Sequence, residues 1–305
     1  MGFFDLQVNG YAGVDFNSDE LDRGKLEAVC MRLLEQGVDG ILATVITDSL
    51  PRMESRLRRI AQLHDGSPLL QRVIAGIHIE GPFLNPAPGF RGAHPPNAII
   101  PAREDLVSRL LEAADGLTRL VTLAPEQDPT GKVTRMLRDQ EITVSAGHTD
   151  ATLEQFKKSI DAGLSMFTHL GNGCPGTLPR HDNIIQRALS LRDSLWLCFI
   201  ADGVHIPFFV LKNYLNLVGL ENSLVVTDAI LAADLGPGNY RFGMWELSIG
   251  EDLVARSPDN SHLVGSTVTM PRSFENLCRH VGLAAEEAHL LLEVNPRKAV
   301  SFRNK

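Results

Sequence analysis

Val73-Ile74-Ala75-Gly76-Ile77-His78-Ile79-Glu80-Gly81-Pro82 is the stretch on which the fold turns. The run Val73–Ile79 is apolar, of strand length, and carries polar residues only towards its C-terminal end, where His78 precedes Glu80. Side chains alternate along a strand, so His78 and Glu80 share a face. A loop rich in Gly and Pro follows, from Gly81 to Pro96. Similar apolar runs are Phe3–Val8, Gly40–Val45, Leu117–Leu123, Ile142–Ala146, Leu164–Thr168, Leu195–Ala201 and Ser223–Thr227. Between them lie segments of helical periodicity. Asp22–Gln36 has apolar residues at Leu26, Val29, Cys30, Leu33 and Leu34, and Arg52–His64, Leu106–Ala114, Val133–Asp139, Leu153–Ala162, Ile184–Leu191 and Pro207–Val218 read the same way. Strand and helix in alternation imply parallel strands joined by crossover helices, and eight such units close into a (β/α)8 barrel. The runner-up is a doubly wound open sheet. No GxGxxG or GxxxxGK[ST] follows a strand, so the usual nucleotide signatures are missing.

The barrel accounts for about residues 3–230. Gly236–Asp259 reads as a loop or short hairpin, and helices at Pro271–Val281 and Ala284–Val294 finish the chain. A single catalytic domain over 1–305 is expected, since barrels of about 250 residues form one domain. The formal net charge of −8 argues against a nucleic-acid partner, which needs a cationic surface. No stretch approaches the roughly 20 apolar residues of a membrane span. Met1-Gly2-Phe3-Phe4-Asp5 does not open a secretory signal, and Cys30, Cys174, Cys198 and Cys278 lie far apart with no CxxC pair. Reduced thiols and a cytoplasmic location are expected.

In such a barrel the active site lies at the C-terminal ends of the strands. The polar residues there are Gln7 and Asn9, His78 and Glu80, Glu126, His148, His169, Asp202 and His205, and Asp228. Glu80, His148 and His169, one carboxylate and two imidazoles from three strands, suit a divalent metal. Three protein ligands leave a coordination position for water, the catalytic arrangement for zinc. Fe, Co and Mn accept the same donors. Asp228 is then placed to take a proton from that water. His64, His262, His280 and His289 are assigned no role.

At these positions the sequence resembles the N-acetylglucosamine-6-phosphate deacetylase family of the amidohydrolase superfamily. The resemblance is spread over nearly the whole chain. It is carried by Asp5-Leu6-Gln7-Val8-Asn9-Gly10, Gly76-Ile77-His78-Ile79-Glu80-Gly81-Pro82-Phe83, Gly92-Ala93-His94, Leu123-Ala124-Pro125-Glu126, Ala146-Gly147-His148-Thr149, Thr168-His169-Leu170, Ala201-Asp202-Gly203-Val204-His205, Thr227-Asp228-Ala229 and Gly265-Ser266. It implies hydrolysis of an N-acetyl group on an amino-sugar phosphate. It makes Glu80, His148 and His169 the ligands of one divalent metal, zinc first. Asp228 matches the catalytic acid/base, and His94 the contact to the acetyl carbonyl. Gln7, Asn172, Gly173, His205, Gly265 and Ser266 fall at substrate-binding positions. Arg180 falls at an arginine that reaches the phosphate across a dimer interface, so a homodimer is expected. Gln7-Val8-Asn9 stands where many superfamily members carry the His-x-His pair of a second metal, which implies a single tightly bound ion.

The chain departs from the family pattern in two places. The β-sandwich built from segments flanking the barrel is expected to be absent. In the loop after strand six, Gly171 stands where the family has a bulkier residue, and Gly173-Cys174 where it has Ala-Met. Alternative readings keep the mechanism but change the substrate, to N-acetylgalactosamine-6-phosphate or an unphosphorylated amide, or make the chain a non-catalytic sugar-phosphate sensor.

Overall fold

Parallel pairing runs without interruption through eight strands of the computed structural model, which describes residues 2–242, 245–257 and 263–300. The strands are β1 (Phe3–Val8), β2 (Val38–Ile46), β3 (Ile74–Glu80), β4 (Thr118–Leu123), β5 (Thr143–Ala146), β6 (Leu164–Phe167), β7 (Trp196–Ile200) and β8 (Ser223–Val226). Helices α1 (Arg23–Glu35), α2 (Leu50–Asp65), α3 (Glu104–Ala113), α4 (Lys132–Asp139), α5 (Leu153–Ala162), α6 (Ile184–Ser190) and α7 (Phe208–Val218) link them in turn. A further short helix, Pro68–Val73, precedes β3, so Val73 belongs to it and not to the strand. The ring closes where Val8 bridges Ala229 and the Asn9 N–H donates to the Ala229 carbonyl at 2.7 Å. The fold is therefore the (β/α)8 barrel. The expected hairpin is β9 (Gly238–Phe242) against β10 (Trp245–Ile249). The two expected C-terminal helices pass into π-helical turns, at Leu277–Val281 and Leu290–Val294, and a third short helix, Asn295–Ala299, follows. His262 lies outside the described residues. Among the described residues no helix is long and apolar enough to cross a membrane.

Strand parity sorts the core into two shells. Ile41, Ala43, Val45, Ile77, Ile79, Val121, Leu123, Val144, Leu197, Phe199 and Val225 face the helices. Leu42, Leu120, Met166, Cys198, Ile200, Leu224 and Val226 fill the barrel interior, closed at one end by Val268, Ala299 and Val300. Advancing two residues towards the C-terminal ends, the interior turns polar. Thr44, His78, Thr122, Ser145 and Thr168 form a buried hydrogen-bonded layer. His78 Nε2 lies 2.8 Å from Thr122 Oγ1, which lies 2.8 Å from Thr168 Oγ1, which lies 2.7 Å from Ser145 Oγ. Burial holds the His78 imidazole down at about 4, so it serves this layer as a neutral group. Two residues beyond His78 stands Glu80, and two beyond Val226 stands Asp228.

On β1 this parity switches. Phe4 and Leu6 face the interior while Val8 joins the outer shell, and the register of β1 on β2 shifts between Asp5 and Val8. The irregularity re-aims Gln7 and Asn9 towards the end of the barrel where Glu80 and Asp228 stand.

Candidate active site

The three candidate metal ligands converge. Glu80 Oε1 lies 3.1 Å from His169 Nε2 and 3.3 Å from His148 Nε2. One donor atom from each of the three residues fits within 4.8 Å, and all three side chains are buried. His148 Nδ1 lies 2.8 Å from the Phe90 carbonyl, which can only accept, so that nitrogen carries the proton and Nε2 is left bare. A bare imidazole nitrogen facing a carboxylate oxygen is repulsive unless a positive charge lies between them. The donor set therefore fits a divalent cation on this structure's own geometry. Burial opposes ionisation of Glu80, but the imidazoles of His148 and His169 that face it outweigh burial and hold the carboxyl well below its usual range.

The backbone that delivers these groups is unusual. His148, His169 and Asp228 each follow the end of a strand, and each has positive φ, at 50°, 33° and 52°. Such conformations are uncommon for residues with a Cβ and persist where neighbours over-determine them. Asp5 supplies part of that constraint at β8. Its carboxylate accepts from the Thr227 N–H at 3.2 Å and the Thr227 hydroxyl at 2.5 Å, immediately before Asp228. Glu126 does the same between loops. It accepts from the Asn85 amide at 2.8 Å, the Asp150 N–H at 2.9 Å and the Thr149 hydroxyl, tying the loop after β3 to the one after His148.

Asp228 is partly buried and beside Glu80, and desolvation foremost, with that charge second, pushes its carboxyl up to about 6. Two amides hold it, and both choose the same oxygen. Asn9 Nδ2 donates to Oδ1 at 2.7 Å and Gln7 Nε2 at 3.0 Å. Gln7 Nε2 also lies 3.2 Å from Glu80 Oε1. Among the described residues nothing donates to Asp228 Oδ2. His94 stands edge-on to His148, with ring centroids 4.4 Å apart, and its Nδ1 is buried without a partner among the described residues. Burial, then the neighbouring His148, drives its imidazole down to about 3, so His94 is neutral. His205 is anchored by Asp202, whose Oδ2 lies 2.6 Å from His205 Nδ1 and whose Oδ1 accepts the His205 N–H at 2.8 Å.

A cavity of about 610 Å³ opens over this cluster. It brings together Glu80, His94, His148, His169, His205 and Asp228 with Asn172, Gly173 and Gly265. Gly173 is required there. It has φ of 60°, and a Cβ on it would fall 2.7 Å from His148 Nδ1, so the Ala of the family pattern does not fit this loop without a shift.

Four expected substrate contacts are placed otherwise. Gln7 does not line the cavity, because its amide nitrogen is spent on Glu80 and Asp228. The Ser266 hydroxyl donates to the Thr227 carbonyl at 2.6 Å and accepts from the Val268 N–H, so it braces the segment after β8. Asn172 lines the cavity, but its backbone and side-chain N–H groups both go to the His169 carbonyl, while the Gly173 N–H is one of several in that loop with no partner among the described residues. Arg180 is exposed and outside the cavity of its own chain. Asn9, quoted in the strand-end pattern but given no role, is the residue that sequence reasoning missed. Its mate in that pattern, Gln7, was the available clue.

No family model matches the chain. Similar proteins are nevertheless found over its full length. It is 31% identical over 313 residues to an N-acetylglucosamine-6-phosphate deacetylase of Danio rerio, covering 100% of this chain and 76% of the relative. It is 29% identical over 297 residues to an N-acetylgalactosamine-6-phosphate deacetylase of Escherichia coli, covering 97% and 76%. Its structure matches that of an N-acetyl-D-glucosamine-6-phosphate deacetylase variant from Mycobacterium smegmatis, solved with N-acetyl-D-glucosamine-6-phosphate, with a TM-score of 0.88 at 28% identity over 98% of this chain and 77% of the other. A full-length match above 30% identity, with the same overall fold, leaves one conclusion: the chain belongs to the N-acetylglucosamine-6-phosphate deacetylase family.

Proposed function

We propose that the chain hydrolyses the N-acetyl group of N-acetylglucosamine-6-phosphate, releasing acetate and glucosamine-6-phosphate. The observation that carries this reading is the Glu80–His148–His169 cluster beside a partly buried Asp228 whose Oδ2 is open. A divalent cation held by Glu80, His148 and His169, with zinc first and Fe, Co or Mn as substitutes, supplies Lewis acidity, lowering the pKa of a water and polarising a carbonyl.

The remaining work belongs to the chain's own side chains. Asp228 Oδ2 accepts the proton of the attacking water and returns it to the leaving nitrogen, while Asn9 and Gln7 fix Oδ1. A carboxyl raised to about 6 is mostly ionised at neutral pH yet holds a proton more readily than an ordinary carboxylate, which suits both halves of that transfer. His94 is neutral, and its Nε2, 3.3 Å from His148 Nε2, offers a donor to the oxyanion as the carbonyl becomes tetrahedral. His205, oriented by Asp202, and the open Gly173 amide face the phosphate, and Gly265 lines the same cavity. Arg180 acts on the substrate only from a second copy of the chain, so a homodimer is part of the proposal, as is a cytoplasmic location.

The Escherichia coli relative named for N-acetylgalactosamine-6-phosphate supports a second reading, in which the C4 epimer is the substrate. Acetate release is measured side by side on the two phosphorylated sugars and on N-acetylglucosamine, with the metal content determined by elemental analysis. The greatest kcat/KM is expected for N-acetylglucosamine-6-phosphate. No turnover of either phosphorylated sugar by metal-replete protein sinks both readings.

A further inference from the structure

One cationic side chain of the cavity has no part in the chemistry described so far. Among the described residues that line it, Arg91 is the only arginine or lysine. It is partly buried, and no carboxylate among the described residues pairs with it. Arginines elsewhere do find partners. Arg56 pairs with Asp19 and Asp48, and Arg187 with Asp150 and Asp182. Drawing a guanidinium away from water without a partner costs free energy that a bound anion offsets.

The position matches that need. The Arg91 N–H donates to the Ala87 carbonyl and the His94 N–H to the Arg91 carbonyl, each at 3.1 Å, so Arg91 and His94 share one turn of the loop after β3. Gly92, next in the chain, packs on His148. A Cβ on it would lie 3.0 Å from Cε1, on the edge of the ring that Gly173 also meets. Arg91 thus stands where the loop carrying His94 meets the loop carrying Gly173. The part of that second loop that lines the cavity, Gly171 to Gly176, offers an anion backbone N–H groups but no cationic side chain. The chain's net charge of −8 makes a local cation necessary for a dianionic ligand.

We propose that Arg91 is an in-chain phosphate contact and a specificity determinant of the cavity, selecting a phosphate monoester over the uncharged sugar. A planar guanidinium takes two phosphate oxygens at once, which a single N–H or an imidazole does not. The substrate class rests on the deacetylase reading; the anion site does not.

Two measurements on the full, metal-replete chain test it. One is the ratio of kcat/KM for N-acetylglucosamine-6-phosphate to that for N-acetylglucosamine; the other is the affinity for inorganic phosphate by calorimetry. Arg91→Gln is expected to lower the ratio about 10- to 100-fold, chiefly through KM, and to weaken phosphate binding alike. Arg91→Lys, which keeps the charge but not the fork, is expected to recover part of both, and it carries the test should the Gln variant fail to fold. Variants with the wild-type ratio and phosphate affinity overturn the assignment. A wild-type chain that deacetylates neither sugar but binds phosphate through Arg91 removes the deacetylase reading and keeps the anion site. A chain that deacetylates without preferring the phosphorylated sugar, and binds no phosphate, removes the anion site alone.

Discussion

Asn9 donates its side-chain amide to Oδ1 of Asp228 at 2.7 Å, across the seam where β1 meets β8. Gln7 reaches the same oxygen, so the carboxylate is fixed in rotation and presents Oδ2 to the cavity. Asp228→Asn keeps the size and the hydrogen-bonding plane but cannot take a proton. It is expected to retain its metal while kcat falls about 100- to 10,000-fold, the range for a positioned acid/base. Elemental analysis and steady-state kinetics on the same sample check this. Near-normal turnover removes Asp228 from the mechanism.

The same contact sets the acidic limb of the pH profile. Asp228 acts as base only when ionised, and its carboxyl is raised to about 6 by burial and then by Glu80, so kcat/KM is expected to rise with pH through that region and level off above it. The Asn9 hydrogen bond favours the ionised form. Asn9→Ala is therefore expected to move the limb to higher pH. A limb in the same place, or at lower pH, contradicts Asn9 as the residue that holds the base.

In the proposed ligand set Glu80 contributes the charge, and His148 and His169 only lone pairs. Glu80→Gln preserves volume and one carbonyl oxygen but removes that charge. Metal content after dialysis against a weak chelator is expected to fall well below that of wild type, with activity partly restored by excess zinc. Undiminished metal content excludes Glu80 as a ligand.

The barrel was legible because each of eight apolar runs is separated from the next by helical periodicity. Leu153–Ala162 was read to the residue. Among the strand ends read one residue long are Leu164–Thr168 for Leu164–Phe167 and Ser223–Thr227 for Ser223–Val226. The reason is local: His169 and Asp228 have positive φ, and the turn into it ends the ladder one residue earlier. Convergence of Glu80, His148 and His169 followed from their places at strand ends. The role of Asn9 did not follow, because its partner is 219 residues away and the strand irregularity that re-aims it leaves no mark on hydrophobic alternation. Nor did the spending of Asn172 and Ser266 on backbone carbonyls, since a polar side chain reads the same in sequence whether it faces a ligand or a turn.

Asp5 carries the last prediction, on stability. It is buried in the seam between β1 and β8, and burial drives its carboxyl from 3.8 up to about 7, against the opposing bonds from Thr227 and Gln7. Between pH 4 and 7 the unfolded chain has lost this proton while the folded chain keeps it. Unfolding then releases a proton, so stability falls as pH rises across that window. The difference amounts to on the order of 4 kcal/mol, at about 1.4 kcal/mol per unit. Asp5→Asn imitates the protonated side chain. Its oxygen still accepts from the Gln7 and Thr227 N–H groups, and its amide replaces the proton towards the Thr227 hydroxyl, which can turn its own hydrogen to the Gln7 carbonyl 3.4 Å away. Urea unfolding of both chains from pH 5 to 8 isolates the effect, because contributions common to the two cancel in the difference. The variant is expected to gain on the wild type steadily up to pH 7 and to hold that gain above it. Parallel curves would show that Asp5 is ionised throughout, and that its three hydrogen bonds outweigh the cost of burying its charge.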